Sequence, residues 1–387
     1  MWMWTTGATD TSMSCRFNPA GVKKQNQKNK TVFKTIMFHF LTLYFMKRSL
    51  ILLGAVAVTL ASCSKSEVVD VNDSKAIGFE TFVNKSTRAV GNDEGRTSDN
   101  LLEFYVYGGS NQSPNLFAGE KVSRTSKDDP WKYDNIKYWF AGNTYRFAAI
   151  FPGAGTHLTA NFSYANGGHM ELTATLDNDN QYDLVYAEAG PITPDAGTID
   201  QMDAVNFNLG HILSKVRILF EKDGDFGKNT RLQISNIQIQ GANTGDGQGI
   251  FGKGKYAYDV NQFKWTRAEN AQNVTFSPAN VEVGDNAIIG NVTEHVGQTL
   301  YVIPQTPVDG IRISFSVQLE ENADGTWTKV GNLQTKTRTV TVNWVANNVY
   351  TYTFKIGKEN FEGVYPIDFE ASVDTWGTEN SSEDLYV

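Results

Sequence analysis

From Ile77 onward the chain is a succession of short runs in which apolar and polar residues alternate, broken by Gly, Asn, Asp and Pro. The cleanest run has Ile311, Ile313, Phe315, Val317 and Leu319 alternating with Arg312, Ser314, Ser316 and Gln318. A period of two puts one set on each face of a strand, so this run predicts a strand with one buried and one wet face. The same reading predicts strands over Leu102–Tyr107, Thr144–Phe151, Tyr182–Ala187, Val205–Leu209, Lys215–Phe220 and Leu232–Gln240. Leu300–Ile303, Thr337–Trp344, Val349–Ile356 and Ile367–Val373 complete the series. No stretch holds a helical period for three turns, and many short strands between turn signals predict an all-β protein of sandwiches. Two sandwich domains, 77–201 and 202–387, account for this length, with the seam near Met202 after a Gly190–Asp200 segment that carries two prolines.

The first 76 residues follow no strand pattern. Residues 1–45 lack any packing pattern and read as an upstream extension, with initiation expected at Met46; the alternative is a genuine extension whose Val32–Phe45 stretch lies at an interface. From Met46 the residues have a clear logic. Lys47 and Arg48 form a positive start, Leu50–Thr59 a short apolar core, and Leu60-Ala61-Ser62-Cys63 a small-residue box ending in cysteine. Such a core is too short to span a bilayer, and its flanks are those of a signal peptide, here 46–62. The box predicts lipidation of Cys63 after cleavage, which would anchor the protein durably in a membrane. Ser64–Lys75 reads as a polar tether, within a segment 63–76; no Asp follows the cysteine, which favours the outer membrane.

Composition narrows the partners. Residues 1–62 hold eight Lys/Arg and one Asp, so the remainder carries 26 basic against 41 acidic residues, a net charge of −15. That balance argues against nucleic acid and suits a soluble extracellular surface. The chain has 34 glycines and only two cysteines, Cys15 and Cys63. A domain pair of this size builds its own core without disulfide staples.

A search for chemistry returns little. The five histidines, at 39, 157, 169, 211 and 295, have no partner at metal-ligand spacing, and His211 between two strands reads as a hydrogen-bonded structural residue. Gly247-Gln248-Gly249-Ile250-Phe251-Gly252 matches G-x-G-x-x-G, but no helix follows to receive a pyrophosphate, so it reads as a loop. Asp177, Asp179, Gln181 and Glu188 sit at calcium-loop offsets, yet Tyr182 stands where that loop needs glycine. Trp131, Tyr133, Tyr138 and Trp139 can be read as a glycan-binding platform or, more often for aromatics in sandwiches, as packing. No catalytic residue, metal site or cofactor is expected, and the chain does not read as an enzyme.

Taken in order, several segments resemble the fimbrillin family that builds type V pili. They are the box at Cys63, Ile77-Gly78-Phe79-Glu80 leading to Ser86-Thr87-Arg88-Ala89, and Tyr145-Arg146-Phe147-Ala148-Ala149. Val205-Asn206-Phe207-Asn208-Leu209-Gly210-His211 with Ser214-Lys215-Val216, then Leu300-Tyr301-Val302-Ile303-Pro304-Gln305-Thr306, follow. Trp344 with Tyr350-Thr351-Tyr352-Thr353-Phe354, and Val373-Asp374-Thr375-Trp376, close the set. The resemblance implies two transthyretin-like β-sandwich domains and export as an outer-membrane lipoprotein displayed at the cell surface. It also implies cleavage by an arginine-specific protease, here between Arg88 and Ala89, which removes the lipid with the first strand. A strand from a neighbouring pilus subunit then fills the groove, and the fimbrium serves adhesion. Some members instead keep their lipid as anchors or act as tip adhesins for a host or bacterial surface ligand.

The removed segment reads Ile77-Gly78-Phe79-Glu80-Thr81-Phe82-Val83, and near the C-terminus stands Ile367-Asp368-Phe369-Glu370-Ala371-Ser372-Val373. Both are I-x-F-E-x-x-V, which puts Ile, Phe and Val on one strand face at one spacing. The expectation is that Ile77, Phe79 and Val83 mark the displaced strand, and Ile367, Phe369 and Val373 the donor.

Overall fold

The computed structural model describes residues 75–83, 100–362 and 367–376, all within one compact unit, Asn72–Val387. The regular secondary structure of the described residues is nearly all strand, as the alternating runs predict, with a single four-residue α-helix, α1 (Glu359–Glu362). They form four sheets. The first has six strands in the order β1 (Phe79–Val83), β8 (Val205–His211), β7 (Val185–Ile192), β4 (Tyr145–Phe151), β2 (Glu103–Ser110) and β3 (Phe117–Ser123). The second runs β12 (Gln262–Arg267), β11 (Lys253–Asp259), β6 (His169–Thr175), β5 (Leu158–Ser163). The third runs β13 (Val281–Val283), β10 (Thr230–Gly241), β17 (Ile311–Ala323), β18 (Thr326–Val340). The fourth runs β15 (Asn291–Val292), β14 (Ala287–Ile288), β9 (Ser214–Lys222), β19 (Asn348–Ile356), β20 (Asp368–Thr375), with β16 (Val296–Val302) also on β9.

The first sheet is apolar on both faces. Phe104, Val106, Phe147 and Phe207 pack on one side against Trp131, Tyr133 and Trp139. Tyr107, Ala148, Ile150 and Tyr186 pack on the other against Leu158, Met170 and Leu172 of the second sheet. The third and fourth sheets close a separate core, in which Ile313, Phe315 and Val317 meet Val216, Phe220 and Phe354. The alternation of β17 is realised: its odd-numbered residues from Ile311 to Val317 are buried. The second sheet draws β5 and β6 from before the expected seam near Met202 and β11 and β12 from after it, so the later half lends the earlier one a hairpin.

Two expected strands are displaced. The run at Tyr182 becomes a strand only at Val185, because Asp183 is turned inward to hold His211 at 2.9 Å. The run Thr337–Trp344 stops pairing at Val340, while Val342 and Trp344 still reach the core from extended chain, the Trp344 N–H donating to the Gln305 carbonyl at 3.0 Å.

The 15-residue β18 is an outer edge of its sheet. Directly opposite the core residues Ile313 and Phe315 it carries Arg338, which is exposed, and Lys336, which is partly buried, so charge lines this edge. The Lys336 ammonium donates to the Asn360 carbonyl at 2.8 Å, and the Arg338 guanidinium lies 5.4 Å over the ring of Phe369. The β17–β18 ladder also shifts register between Val317 and Leu319; there the buried Gln318 amide donates to the Leu319 and Val330 carbonyls, both at 3.0 Å.

Candidate functional site

The first strand sits in a socket built by later segments. β1 pairs in parallel with β8, from Phe79 opposite Val205 to Val83 opposite Leu209. Just before it the chain makes a second, antiparallel contact: the Ile77 N–H donates to the Lys137 carbonyl, and the Trp139 N–H to the Lys75 carbonyl, both at 2.8 Å. The segment is thus held by residues 137–139 at 75–77 and by β8 from Phe79 onward.

Alternation turns Ile77, Phe79 and Thr81 inward, and all three are buried. The Phe79 ring meets Phe117 at 5.1 Å, Tyr133 at 5.5 Å, Phe147 at 5.8 Å and Phe207 at 6.0 Å. Edge-to-face and offset contacts of this kind add to the area term. Thr81 donates its hydroxyl to the Phe207 carbonyl at 3.1 Å, so its polar group is satisfied inside the groove. The Tyr133 hydroxyl donates to the Ile77 carbonyl at 2.7 Å and accepts from the Lys137 N–H at 3.2 Å. Burial pushes the Tyr133 phenol above its ordinary range. Burying Ile77 and Phe79 contributes about 1.5–3 kcal/mol each before entropy.

The expected donor occupies a different setting. β20 runs antiparallel to β19, with Phe369 opposite Phe354 and Val373 opposite Tyr350, and so completes the fourth sheet of its own chain. Ile367 and Phe369 are only partly buried and Val373 is 45% exposed. The Phe369 ring lies 5.2 Å from Phe354 and 6.0 Å from Tyr352. Val83 ends the β1 ladder, its side chain outside the described set; Cys63, Arg88 and Ala89 also lie outside the described residues.

The four aromatics considered as a glycan platform are not brought together on a surface. Trp139 is fully buried against Tyr145 at 4.7 Å, Tyr133 lines the β1 socket, and Trp131 packs on Phe104 at 4.8 Å beneath the Arg124 guanidinium. Tyr138 alone of the four is exposed. Side chains alternate along 136–140, so Trp139 goes in while Ile136, Tyr138 and Phe140 stay out. The socket residues that sequence reasoning missed are Phe117 and Tyr133; Phe147 and Phe207 carried a signal as inward positions of predicted strands.

The remaining sequence features resolve into structure. His211 holds Asp183 and stacks on Trp376 with ring centroids 4.2 Å apart. The Asp177 carboxylate accepts from the N–H groups of Asp179 and Asn180, both at 3.0 Å, which makes a turn of the calcium-like offsets. The glycine-rich 247–252 segment is a loop that leads into β11. Among the described residues no group of three or more His, Cys, Asp and Glu converges as a metal site.

A model of the family described as fimbrillin-like matches residues 87–376. Among solved structures, a fimbrial protein from Bacteroides vulgatus ATCC 8482 is 16% identical; the match covers 78% of this chain and 99% of that one, with a TM-score of 0.52. A candidate cell adhesion protein from Bacteroides ovatus ATCC 8483 is 13% identical over 79% of this chain and 99% of that one, with a TM-score of 0.47. No protein with a curated description matches the chain.

Proposed function

The chain belongs to the fimbrillin-like family, and from that premise we propose that it is a structural subunit of a cell-surface fimbrium, assembled by protease-triggered strand exchange and contributing to adhesion. Membership itself implies a cell-surface protein that assembles with other subunits. In the proposed sequence, acylation of Cys63 carries the precursor to the outer membrane. A cut between Arg88 and Ala89 then frees the segment that holds Ile77, Phe79 and Val83. The strand of Ile367, Phe369 and Val373 from a neighbouring subunit takes its place.

One observation carries this reading. Every ring that surrounds Phe79, namely Phe117, Tyr133, Phe147 and Phe207, comes from residues after the proposed cut. Losing the first strand therefore opens a groove whose walls are already built. The N–H of Trp139 would lose its partner, and a row of β8 backbone groups would be left to pair, which is what an added strand satisfies. The donor's weaker burial at its own edge suits a strand that must leave home.

N-terminal sequencing of assembled material tests the cut and should read Ala89-Val90-Gly91. Phe369→Asp should abolish the ladder of polymers on denaturing gels while export and processing persist. Normal ladders from that variant would remove the donor assignment, and a misfolded monomer would tie β20 to its own domain. If Cys63 is still attached in polymers, the chain is an anchor, the second reading that the family allows. Cys63→Ala should leave the protein unacylated and absent from the outer membrane fraction.

A further inference from the structure

The second sheet is split at one end. β6 and β11 pair only from Leu172 to Thr175 against Lys253 to Tyr256, and there their ladder stops. Each strand nevertheless continues on its other side: β6 pairs with β5 as far as His169, and β11 with β12 as far as Asp259. The two hairpins therefore diverge, and a cleft of about 420 Å³ opens between them. That volume lies within the ordinary range of small-molecule sites.

The cleft has a constructed floor. The rings of His169 and Tyr258 stack at 3.9 Å with only 17° between their planes. Glu188, reaching across from β7, fixes this pair from behind: its carboxylate meets His169 Nδ1 at 2.9 Å, accepts from the Met170 N–H at 3.1 Å and accepts from the Tyr186 hydroxyl. Burial first, and then the adjoining Glu188 charge, holds the Tyr186 phenol far above its ordinary range, so it remains a donor to Glu188 at any physiological pH. Tyr258 is 39% exposed, so part of a held aromatic surface faces solvent.

The walls carry matched charge. Lys255 pairs with Glu171 and Lys264 with Asp259, each at 2.5 Å. A lining with two cations and two anions, each already partnered, offers no net field to draw an ion. It presents instead a dense set of fixed donors and acceptors. A flat aromatic floor with neutralised polar walls suits a ligand with one face of C–H groups and a rim of hydroxyls. The partly positive C–H groups rest on the negative face of a ring, while hydroxyls bridge the ammonium and carboxylate groups.

We infer that the cleft between β6 and β11 binds an uncharged sugar ring, with the exposed part of the Tyr258 ring, held from behind by His169, as its floor and the Glu171–Lys255 and Asp259–Lys264 pairs as its walls. The site lies across the first sheet from the β1 socket, since β1 packs in the core on one face of that sheet and β6 in the core on the other. Subunits joined through β1 would leave it open, so each one along a polymer would display a cleft. Single-site affinity for such a ligand is weak, but many copies on one thread multiply it.

The test uses the full chain with mannose, galactose and N-acetylglucosamine as probes, and N-acetylneuraminic acid as the anionic comparison, read by saturation-transfer NMR and titration. At least one neutral sugar should bind, with saturation concentrated on its C–H face. Tyr258→Ala should weaken binding by about tenfold or more, and Tyr258→Phe should change it by less than about twofold. Because Tyr258→Ala can disturb the hairpin, Lys264→Ala serves as a second, surface variant and should weaken binding by about threefold or more. Overturning results are no neutral sugar bound up to about 20 mM, stronger binding of the anionic sugar, or unchanged binding in both Tyr258→Ala and Lys264→Ala. Polymer ladders should be unaffected by these variants, so failure here is distinct from failure of strand exchange.

Discussion

One seven-residue pattern occurs twice in this chain, and the two copies are treated very differently. At Ile77–Val83 the pattern lies in a socket, held by residues 137–139 at its start and by β8 from Phe79 onward, with Ile77 1% and Phe79 4% exposed. At Ile367–Val373 it forms a sheet edge against β19 alone, with Phe369 half-buried and Val373 45% exposed. The apolar residues are equivalent, so the difference lies in what the surrounding chain offers. Four rings close around Phe79, whereas Phe369 has two rings beneath it and the Arg338 guanidinium as a lid. Under the proposed exchange, a strand that leaves a shallow site for a deep one gains burial once the deep site is vacated.

The largest effect that can break this comparison is a cavity in the deep site. Phe79→Ala in the uncleaved chain should cost about 3–5 kcal/mol in urea unfolding, the range of a fully buried aromatic truncation. Phe369→Ala should cost less, about 1–2 kcal/mol, because part of that ring is already in water. Equal losses at the two positions would refute the idea that the sites differ in depth.

Alkaline titration sharpens the same contrast. Tyr133 touches the β1 segment and Tyr352 lies beneath Phe369; burial raises both phenols. A phenol whose folded pKa is raised ionises more easily when unfolded, so its contribution is intact below pH ~10 and is lost as pH climbs above that value. Ultraviolet titration should therefore show both tyrosines protonated past pH ~10 in the intact chain. After removal of β1, Tyr133 should titrate nearer its ordinary value and Tyr352 should not. Tyr182, pushed up to about 12 mainly by burial, provides an internal reference that neither edge touches. The smallest effect belongs to Val373→Ala, expected within about 0.5 kcal/mol of the parent because the side chain is largely solvated.

The alternation that made β17 and β8 readable comes from strands with one buried face. β5, β11 and β12 escaped because they hold few fully buried residues and the alternating apolar positions of β11 and β12, Tyr256, Tyr258, Phe263 and Trp265, are too few to mark a strand. The first half of β18 escaped because it is largely exposed on both faces and its apolar residues, Trp327 and Val330, keep no period of two. Within the socket, Ile77 and Phe79 were legible as inward residues of one pattern, and Phe147 and Phe207 as inward residues of theirs. Phe117 was not, because the following Ala118, Gly119 and Glu120 give it no apolar partner in sequence. Trp131, Tyr133, Tyr138 and Trp139 showed an aromatic cluster, but composition cannot say which side of an irregular segment meets the core. The β6–β11 cleft was invisible for a deeper reason. It arises where two hairpins 80 residues apart part company, and neither hairpin records the position of the other.

The charges of β18 bear on the shape of a polymer built by the proposed strand exchange. In polymer chemistry a monomer with two reactive ends makes threads, and one with three makes a branched gel. Under the proposed strand exchange, a subunit with a groove at one place and a donor strand at another would have those two ends. β18, the longest strand among the described residues, is the obvious site for an unwanted third. With Lys336 and Arg338 opposite core residues and Gln318 of β17 wedged at the register shift of their ladder, it is a poor template for another strand. If growth proceeds by the proposed strand exchange, such an edge would hold the valence of the subunit at two and the product would be an unbranched line.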